Sequence, residues 1–304
     1  MMLNGLLSGF RFALDRAINR FVVQPRRERA WARKTEPFAY TNHLGNVFTL
    51  YPSEYVDRHI FHDGIYERRF LDLLRSHFPG SSIALDIGAN IGNHAIYLAK
   101  TFARIHAFEP NPTAFARLRA NVEANGLGSK IALHEIGLGE KDERVLFGEN
   151  VVGNLGESGF IKDASAVDSR FSVKELEIAR ADTFIDALAL PHLEFIKIDV
   201  EGWEPSVFAG LRGTIAKYRP IVAFEFHGQS VADGDFDRIM ANLPGYLLAE
   251  AVHAPHDSPL IDKLKWNFTR QGKPKLAPVT VPESRTYENL LAFPDSESFE
   301  RFKR

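Results

Sequence analysis

Cysteine is absent from this sequence of 304 residues. Without a thiol, the chain can form no disulfide, no thiolate metal site and no cysteine nucleophile. Long apolar runs are also lacking, and none approaches the length that a membrane-spanning helix needs. The opening stretch MMLNGLLSGFRFALDRAINR carries charges where a signal peptide would need an apolar core. The sequence therefore predicts a soluble protein of the cytoplasm.

The sequence also lacks a strong net charge, since its formal net charge is −2. Such a chain has no overall field that would favour nucleic acid, but residues 1–35 carry an excess of basic side chains. Apolar residues recur every three or four positions over 3–22, which predicts an amphipathic helix with a basic opposite face. We expect this helix to pack on its own domain, on a second copy or on an anionic membrane surface. The predicted organisation is an N-terminal helical extension over 1–45 and one domain over 46–304.

After the extension, strand-like and helix-like segments alternate along the chain. This alternation predicts an α/β fold with a mostly parallel sheet and helices on both faces. Residues 137–180 are rich in Gly, Ser, Asp and Glu with weak periodicity, and we interpret them as a lid or substrate loop. Strands are predicted at 83–87, 104–108, 130–134, 194–199, 220–225, 246–252 and 287–293, and helices over 93–101, 112–125, 204–217 and 234–242.

A glycine-containing turn follows the first of these strands, in LDIGANIGNHAIYLAK. The spacing from Gly88 to Gly92 is G-x-x-x-G, so the dinucleotide fingerprint G-x-G-x-x-G is missing, and a phosphate-binding loop is absent from the sequence. Asp86 precedes the turn, where a carboxylate would repel a pyrophosphate but attract a cation. S-adenosylmethionine is such a cation, and Glu109 stands about 20 residues further on, where an acid can accept both ribose hydroxyls. An NAD-dependent oxidoreductase is therefore disfavoured.

Several motifs in order along the chain resemble those of the FkbM-type S-adenosylmethionine-dependent methyltransferases. They are LDIGANIGNHAIYLA, AFEPNPTAFARLRANVEANG, ADTFIDAL, EFIKIDVEGWEPSVFAGL and RPIVAFEFH. The resemblance implies a class I methyltransferase (Rossmann-like) fold, with a seven-stranded sheet of order 3-2-1-4-5-7-6 and an antiparallel last strand. It also implies O-methylation of a hydroxyl on a small-molecule, sugar or lipid-linked acceptor.

The resemblance further implies a cofactor site, carried over by position. Asp199 is one candidate contact, because its carboxylate can pair with the ammonium group of the cofactor. The remaining residues are Asp86, Gly88, Asn90 and Gly92 for the methionine moiety, Glu109 and Asn111 for the ribose, and Gly137 near the adenine.

The candidate catalytic residues follow the fourth and fifth strands. Asp199 ends the fourth, and alternation places Glu225 and His227 on one side of the fifth. Methyl transfer to a hydroxyl requires alignment and removal of the hydroxyl proton. His227 is the preferred general base because its ordinary pKa is near neutral, and Asp199 is the second choice. In the alternative, these three side chains bind a divalent cation that lowers the pKa of the hydroxyl.

Two other functions remain as alternatives. A non-catalytic scaffold could bind S-adenosylmethionine and dock on a membrane or partner through the basic helix. A nucleic-acid methyltransferase is opposed by the missing cysteine and by the missing Asn/Asp-Pro-Pro-Tyr/Phe tetrapeptide, in whose place DVEG stands. Glu67, in GIYERR, either closes over the site or is an ordinary charge on a helix surface.

Overall fold

The computed structural model describes residues 24–154, 158–161, 168–226, 233–252, 275–280 and 285–303. Helices and strands alternate through most of this part of the chain. In chain order they are α1 (Gln24–Trp31), β1 (Phe38–Thr41), β2 (Val47–Leu50), α2 (Tyr55–Asp63), α3 (Arg68–Arg75), β3 (Ile83–Ile87), α4 (Asn93–Leu98), β4 (Arg104–Phe108), α5 (Pro112–Ala124), β5 (Ile131–His134), β6 (Gly137–Gly139), β7 (Glu143–Asn150), β8 (Gly159–Phe160), β9 (Phe171–Arg180), α6 (Ala181–Ala187), β10 (Phe195–Ile198), α7 (Glu204–Gly210), α8 (Arg212–Tyr218), β11 (Ile221–Phe226), α9 (Asp235–Met240), β12 (Leu247–Val252), β13 (Lys275–Val279), β14 (Tyr287–Phe293) and α10 (Ser296–Lys303).

The main sheet has the order β13-β12-β14-β11-β10-β3-β4-β5. Five consecutive strands of this sheet run parallel to one another, namely β11, β10, β3, β4 and β5. By contrast, β14 runs antiparallel to both β11 and β12. Counted from β5 to β12, this is the order 3-2-1-4-5-7-6, so the class I methyltransferase fold predicted from the resemblance is confirmed.

The strand count and one helix differ from the predictions. Within the described residues the main sheet has eight strands rather than seven, because β13 adds to the outer edge of β12 by antiparallel pairing. The helix predicted over 204–217 is two helices, and Leu211 lies between the end of α7 and the start of α8.

The segment 137–180, interpreted from the sequence as a lid or substrate loop, contains strands that were not predicted. It contributes a second sheet with the order β6-β9-β7-β8, in which β7 and β9 pair along the whole of β7. Its polar composition hid the strands, because much of β7 and β9 is only half-buried or exposed and needs few apolar residues.

Apolar side chains cover both faces of the main sheet because alternate residues of each strand point to opposite sides. Ala84 and Phe195 belong to the core cluster with α3, α4 and α5. Leu85 and Ile196 belong to the cluster on the other face, with α6, α7 and α8. The central strands β3 and β10 are thus covered on both sides, and ligands can approach only at their ends.

The chain before the main sheet packs against the same domain. Trp31, at the end of α1, is buried and lies 5.4 Å from Phe61 of α2 between ring centroids. The strand pair β1–β2 joins residues on both sides of the boundary predicted between residues 45 and 46. The basic helix predicted over 3–22 lies outside the described residues. Over the described ranges, no helix combines the length and hydrophobicity required to cross a membrane.

Gly210 provides a test of the packing between α7 and β6. A Cβ added at this residue would lie 1.9 Å from the carbonyl oxygen of Gly139. We therefore expect Gly210→Ala to lower the free energy of unfolding by about 1–3 kcal/mol, the usual cost of overpacking. Gly128→Ala is the matched control, since an added Cβ there meets no atom of the described part of the chain within 4 Å. Urea denaturation measures both variants, and equal stability of the two would contradict this packing.

Candidate active site

The turn between β3 and α4 lies directly against the end of β10. Gly88 has a φ of +79°, and a Cβ there would lie 1.8 Å from the carbonyl oxygen of Asp199. Only glycine fits this conformation and this approach. The backbone N–H groups of Gly88 and Ala89 both donate to the carbonyl oxygen of Phe108, at 3.0 and 2.9 Å. The turns that follow three adjacent strands are therefore held together at one edge of the sheet.

Glu109, just after β4, is a buried acid with a fixed orientation. Its Oε2 accepts a hydrogen bond from the backbone N–H of Asn90 at 2.9 Å, and its Oε1 accepts one from the backbone N–H of Asn111 at 2.9 Å. Burial raises the pKa of Glu109 to about 7, although these two donors oppose the rise. Each carboxylate oxygen keeps a second lone pair for a ligand donor.

Glu109 and Asp199 both lie on the wall of an open cleft of about 650 Å³. The cleft has aromatic side chains on one wall, from the second sheet, and polar groups on the turns that follow β3, β4 and β10. Its lining residues are Gly88, Asn90, Glu109, Pro110, Asn111, Ala114, Phe147, Ser158, Phe160, Asp199, Val200 and Glu201. The segment 137–180 thus reaches the predicted site as strands β7 and β8.

Lys197 is a buried cation that the sequence analysis missed. Its Nζ lies 3.0 Å from Oδ2 of Asp199 and 3.7 Å from Oδ1 of Asp86. Burial of the ammonium works against its charge, but attraction by Asp199 and Asp86 outweighs this and raises the pKa of Lys197 above its ordinary value. Lys197 stands two residues before Asp199, and this alternation in a strand was the available signal.

Asp86 faces Lys197 rather than the cleft. It is buried, and its counter-ion is Lys197. Among the described residues, neither of its carboxylate oxygens has a hydrogen-bond partner. It is not among the residues that line the cleft. Its predicted contact with the methionine moiety stays a prediction, and its charge is already balanced in this structure.

A second, smaller pocket of about 350 Å³ shares Asp199 with the cleft. Glu225 lines this pocket, where burial and the nearby charge of Asp199 raise its pKa to about 8. Glu67 also lines this pocket, and its side chain is largely buried rather than an exposed charge on a helix surface. The remaining lining residues are Tyr66, Lys197, Ile198, Ala223, Phe224 and Asn289.

Two predicted glycines have packing roles beside the site. A Cβ at Gly92 would lie 2.7 Å from Leu118 of α5, and one at Gly137 would lie 2.4 Å from Ile178 of β9. Gly137 is also next to Pro110, which lines the cleft. Neither glycine lines the cleft itself, so their predicted contacts with the cofactor stay predictions.

His227, the preferred general base, lies outside the described residues. The alternative in which it joins Asp199 and Glu225 around a divalent cation stays a prediction for the same reason. Among the residues that the structure describes, no group of three His, Asp or Glu side chains is placed to hold a metal ion.

Comparison with known proteins identifies a family for this chain. The family model described as the methyltransferase FkbM domain matches residues 86–249, which is more than half of the sequence. The AMB antimetabolite synthetase AmbE of Pseudomonas aeruginosa is 30% identical over 243 residues, which cover 68% of this chain and only 11% of the synthetase. The 2-O-methyltransferase NoeI of Sinorhizobium fredii is 28% identical over 195 residues, which cover 60% of this chain and 77% of NoeI. The 31-O-demethyl-FK506 methyltransferase FkbM of Streptomyces tacrolimicus is 26% identical over 222 residues, which cover 64% of this chain and 81% of that protein.

The ion pairs of Lys197 give a prediction about stability. Lys197→Met would leave the buried Asp86 without its counter-ion, and breaking a buried ion pair in this way costs about 3–5 kcal/mol. Adding Asp86→Asn should recover part of that loss, because the stranded charge is removed. Lys141→Met is the control, since that lysine is exposed. Urea denaturation measures the free energy of unfolding of all three variants. If the single and the double variant lose equal stability, the loss comes from packing and not from the unpaired charge of Asp86.

The raised pKa of Glu225 gives a prediction about pH. A buried carboxyl whose pKa rises on folding keeps its proton to a higher pH in the folded state. Stability is therefore lost as the pH rises from the pKa of the unfolded state through the pKa of the folded state. Between pH 7 and 9 the unfolded carboxyl is already ionised, while Glu225, with a pKa of about 8, still loses its proton. We expect Glu225→Gln to reduce the loss of stability over this range by about 1 kcal/mol.

Urea denaturation at pH 7 and pH 9 measures this difference. This pH range lies above the one in which His106 and His134 lose their protons, because burial lowers the pKa of each of these two histidines. Parallel pH dependences of the variant and the unsubstituted protein would contradict a raised pKa at Glu225.

Proposed function

This chain belongs to the FkbM methyltransferase family, and we propose that it transfers a methyl group from S-adenosylmethionine to a hydroxyl of a small-molecule, sugar or lipid-linked acceptor. Methyl transfer itself follows from the family. The choice of a hydroxyl is supported by two relatives that are named for O-methyl transfer or O-demethylated substrates. Because the chain spans 11% of the synthetase it matches, that protein's other activities are not carried over.

The single observation that carries the cofactor assignment is the orientation of Glu109. Both of its oxygens are fixed by the backbone N–H groups of Asn90 and Asn111, with acceptor capacity left toward the cleft. A pair of neighbouring ribose hydroxyls needs two such acceptors at a fixed separation. Phe147 and Phe160, which also line the cleft, offer apolar surface for a planar base.

The turn after β3 also fits the cofactor. Gly88 lines the cleft, so its backbone would lie close to the ligand, and its missing Cβ lets the turn pack against the carbonyl of Asp199. Asp199 lies where the cleft and the smaller pocket meet, and its carboxylate would face the methionine end of the ligand. When bound, S-adenosylmethionine supplies a methyl group activated by its sulfonium. The chain's own tasks are then to align an acceptor and remove its proton.

Of the described carboxylates at the two cavities, Asp199 and Glu225 are the ones that the sequence analysis predicted to be catalytic, and both line the smaller pocket. Lys197 pairs with Asp199 at 3.0 Å, and this ion pair holds the Asp199 carboxylate in one place, where it could orient a hydroxyl. Glu225 has a pKa of about 8, close to the pH at which a general base has to work, so we assign the proton to its carboxylate. His227 remains the alternative base that the sequence analysis preferred.

The N-terminal part of the proposal rests on sequence alone. We place the protein in the cytoplasm, with the basic helix over 3–22 on an anionic membrane surface or on a second copy. The amphipathic pattern and the excess of basic residues over 1–35 support this placement.

A binding experiment tests the cofactor assignment directly. Titration calorimetry should show S-adenosylhomocysteine binding to the unsubstituted protein and at least about tenfold weaker binding to Glu109→Gln, since lost hydrogen bonds to a charged group are worth about 1.5–3 kcal/mol. An amide at this position would also turn one N–H toward a backbone N–H of Asn90 or Asn111. Glu123→Gln, an exposed change on α5, is the control.

Transfer of labelled methyl from S-adenosylmethionine to an extract of small molecules then tests the reaction. Unchanged affinity in Glu109→Gln, or no binding by the unsubstituted protein, would contradict the proposed cofactor site.

A further inference from the structure

The smaller pocket of about 350 Å³ lies beyond Asp199 from the cofactor cleft. The cofactor assignment uses only the cleft, so this pocket has no ligand assigned to it. An acceptor hydroxyl has to meet the methyl end of the cofactor, and Asp199 is the residue that both cavities share. If the proposed function holds, the pocket is therefore where the acceptor would bind.

The charges on the pocket wall favour one kind of acceptor. Three acids line it, Glu67, Asp199 and Glu225, together with one cation, Lys197. The ammonium of Lys197 is already divided between Asp199 and the buried Asp86, at 3.0 and 3.7 Å. The carboxylate of Glu67 adds negative charge to this described part of the wall, and this charge repels a carboxylate or phosphate on the acceptor.

The shape and polarity of the wall favour a ring that carries hydroxyls. Tyr66 lines the pocket and is the inner member of an aromatic group, with ring centroids 5.9 Å from Tyr55 and 5.5 Å from His59. Tyr55 is half exposed, so this group leads from the surface to the pocket. Aromatic faces pack on the C–H face of a sugar, while carboxylate and amide groups bind its hydroxyls.

Glu67 is held rigidly in this wall. Its backbone adopts the left-handed conformation, with φ 55° and ψ 28°, which is uncommon for a residue with a side chain. Its Oε1 accepts a hydrogen bond from the Asn289 amide at 2.6 Å, and its Oε2 lies 2.9 Å from Nε2 of His94. Contacts from β14 and α4 thus fix one carboxylate at the pocket, in a conformation that local sequence disfavours.

We infer that this pocket is the acceptor subsite, that it binds an uncharged hydroxyl-rich ring such as a neutral sugar, and that Glu67 excludes anionic acceptors. The inference rests on the proposed function and restricts its acceptors to uncharged ones. It assigns Glu67 to specificity, not to the transfer of the proton.

Matched sugars test the inference by binding. The probes are methyl glycosides of several hexoses and the corresponding methyl hexuronides, which differ only by a carboxylate at C6. Titrations followed by saturation-transfer NMR, with the protein saturated in S-adenosylhomocysteine, give a dissociation constant for each probe. We expect at least one hexoside to bind at least tenfold more tightly than its hexuronide at pH 7.5.

Glu67→Gln should reduce this preference at least threefold, because it removes one negative charge and keeps an oxygen that can accept from Asn289. Glu123→Gln removes a charge from an exposed position and should leave the preference unchanged. Unchanged affinity for S-adenosylhomocysteine shows that each variant is folded. Should Glu67→Gln fail this check, Glu225→Gln is titrated at pH 9, where the Glu225 carboxyl has lost its proton. At that pH the change removes a charge from the same wall and should reduce the preference for hexosides in the same direction.

Three results would overturn the inference. They are hexuronides that bind as tightly as hexosides, no binding of any hexoside to the protein with S-adenosylhomocysteine, and a preference that both pocket variants leave unchanged. Each of these can occur while S-adenosylhomocysteine binds normally, and the proposed function would then survive. Absence of S-adenosylhomocysteine binding would instead contradict the proposed function, and the inference with it.

Discussion

The ion pairs of Lys197 are the constraint on which the rest of the site depends. Its ammonium joins Asp86 of β3 to Asp199 at the end of β10 in the middle of the main sheet. Without a cation there, two carboxylates would lie close together at the buried end of parallel strands, where like charges are costly. With it, the sheet can present acids at its ligand-binding edge and still keep β3 and β10 closely packed.

The two cavities follow from this arrangement. Because Gly88 touches the carbonyl of Asp199, the turns after β3 and β10 meet without a gap, and Asp199 is placed between the cleft and the pocket. In the cleft, the backbone N–H groups of Asn90 and Asn111 hold the carboxylate of Glu109 in one orientation. In the pocket, Glu225 of β11 forms part of the wall. One row of turns therefore separates the cleft proposed for the cofactor from the pocket proposed for its acceptor.

The sequence predicts this framework well where the signals are local. Strand β3, its glycine turn and Glu109 follow from a short apolar run and from the residues that come directly after it. Other features depend on partners distant in sequence: Glu67 meets Asn289 across 222 positions, and the link between Lys197 and Asp86 requires the register of two parallel strands. Polar composition concealed β7 and β9, and β13 lies in a region whose pattern resembles a loop.

A crystal structure of the protein with S-adenosylhomocysteine tests the central claim most directly. The account predicts the ribose hydroxyls within hydrogen-bond distance of both Glu109 oxygens, the base against Phe147 or Phe160, and the sulfur beside Asp199, with Lys197 still paired to Asp199. An adenosyl group bound outside the cleft, or a Glu109 side chain turned away from the ribose, would contradict it.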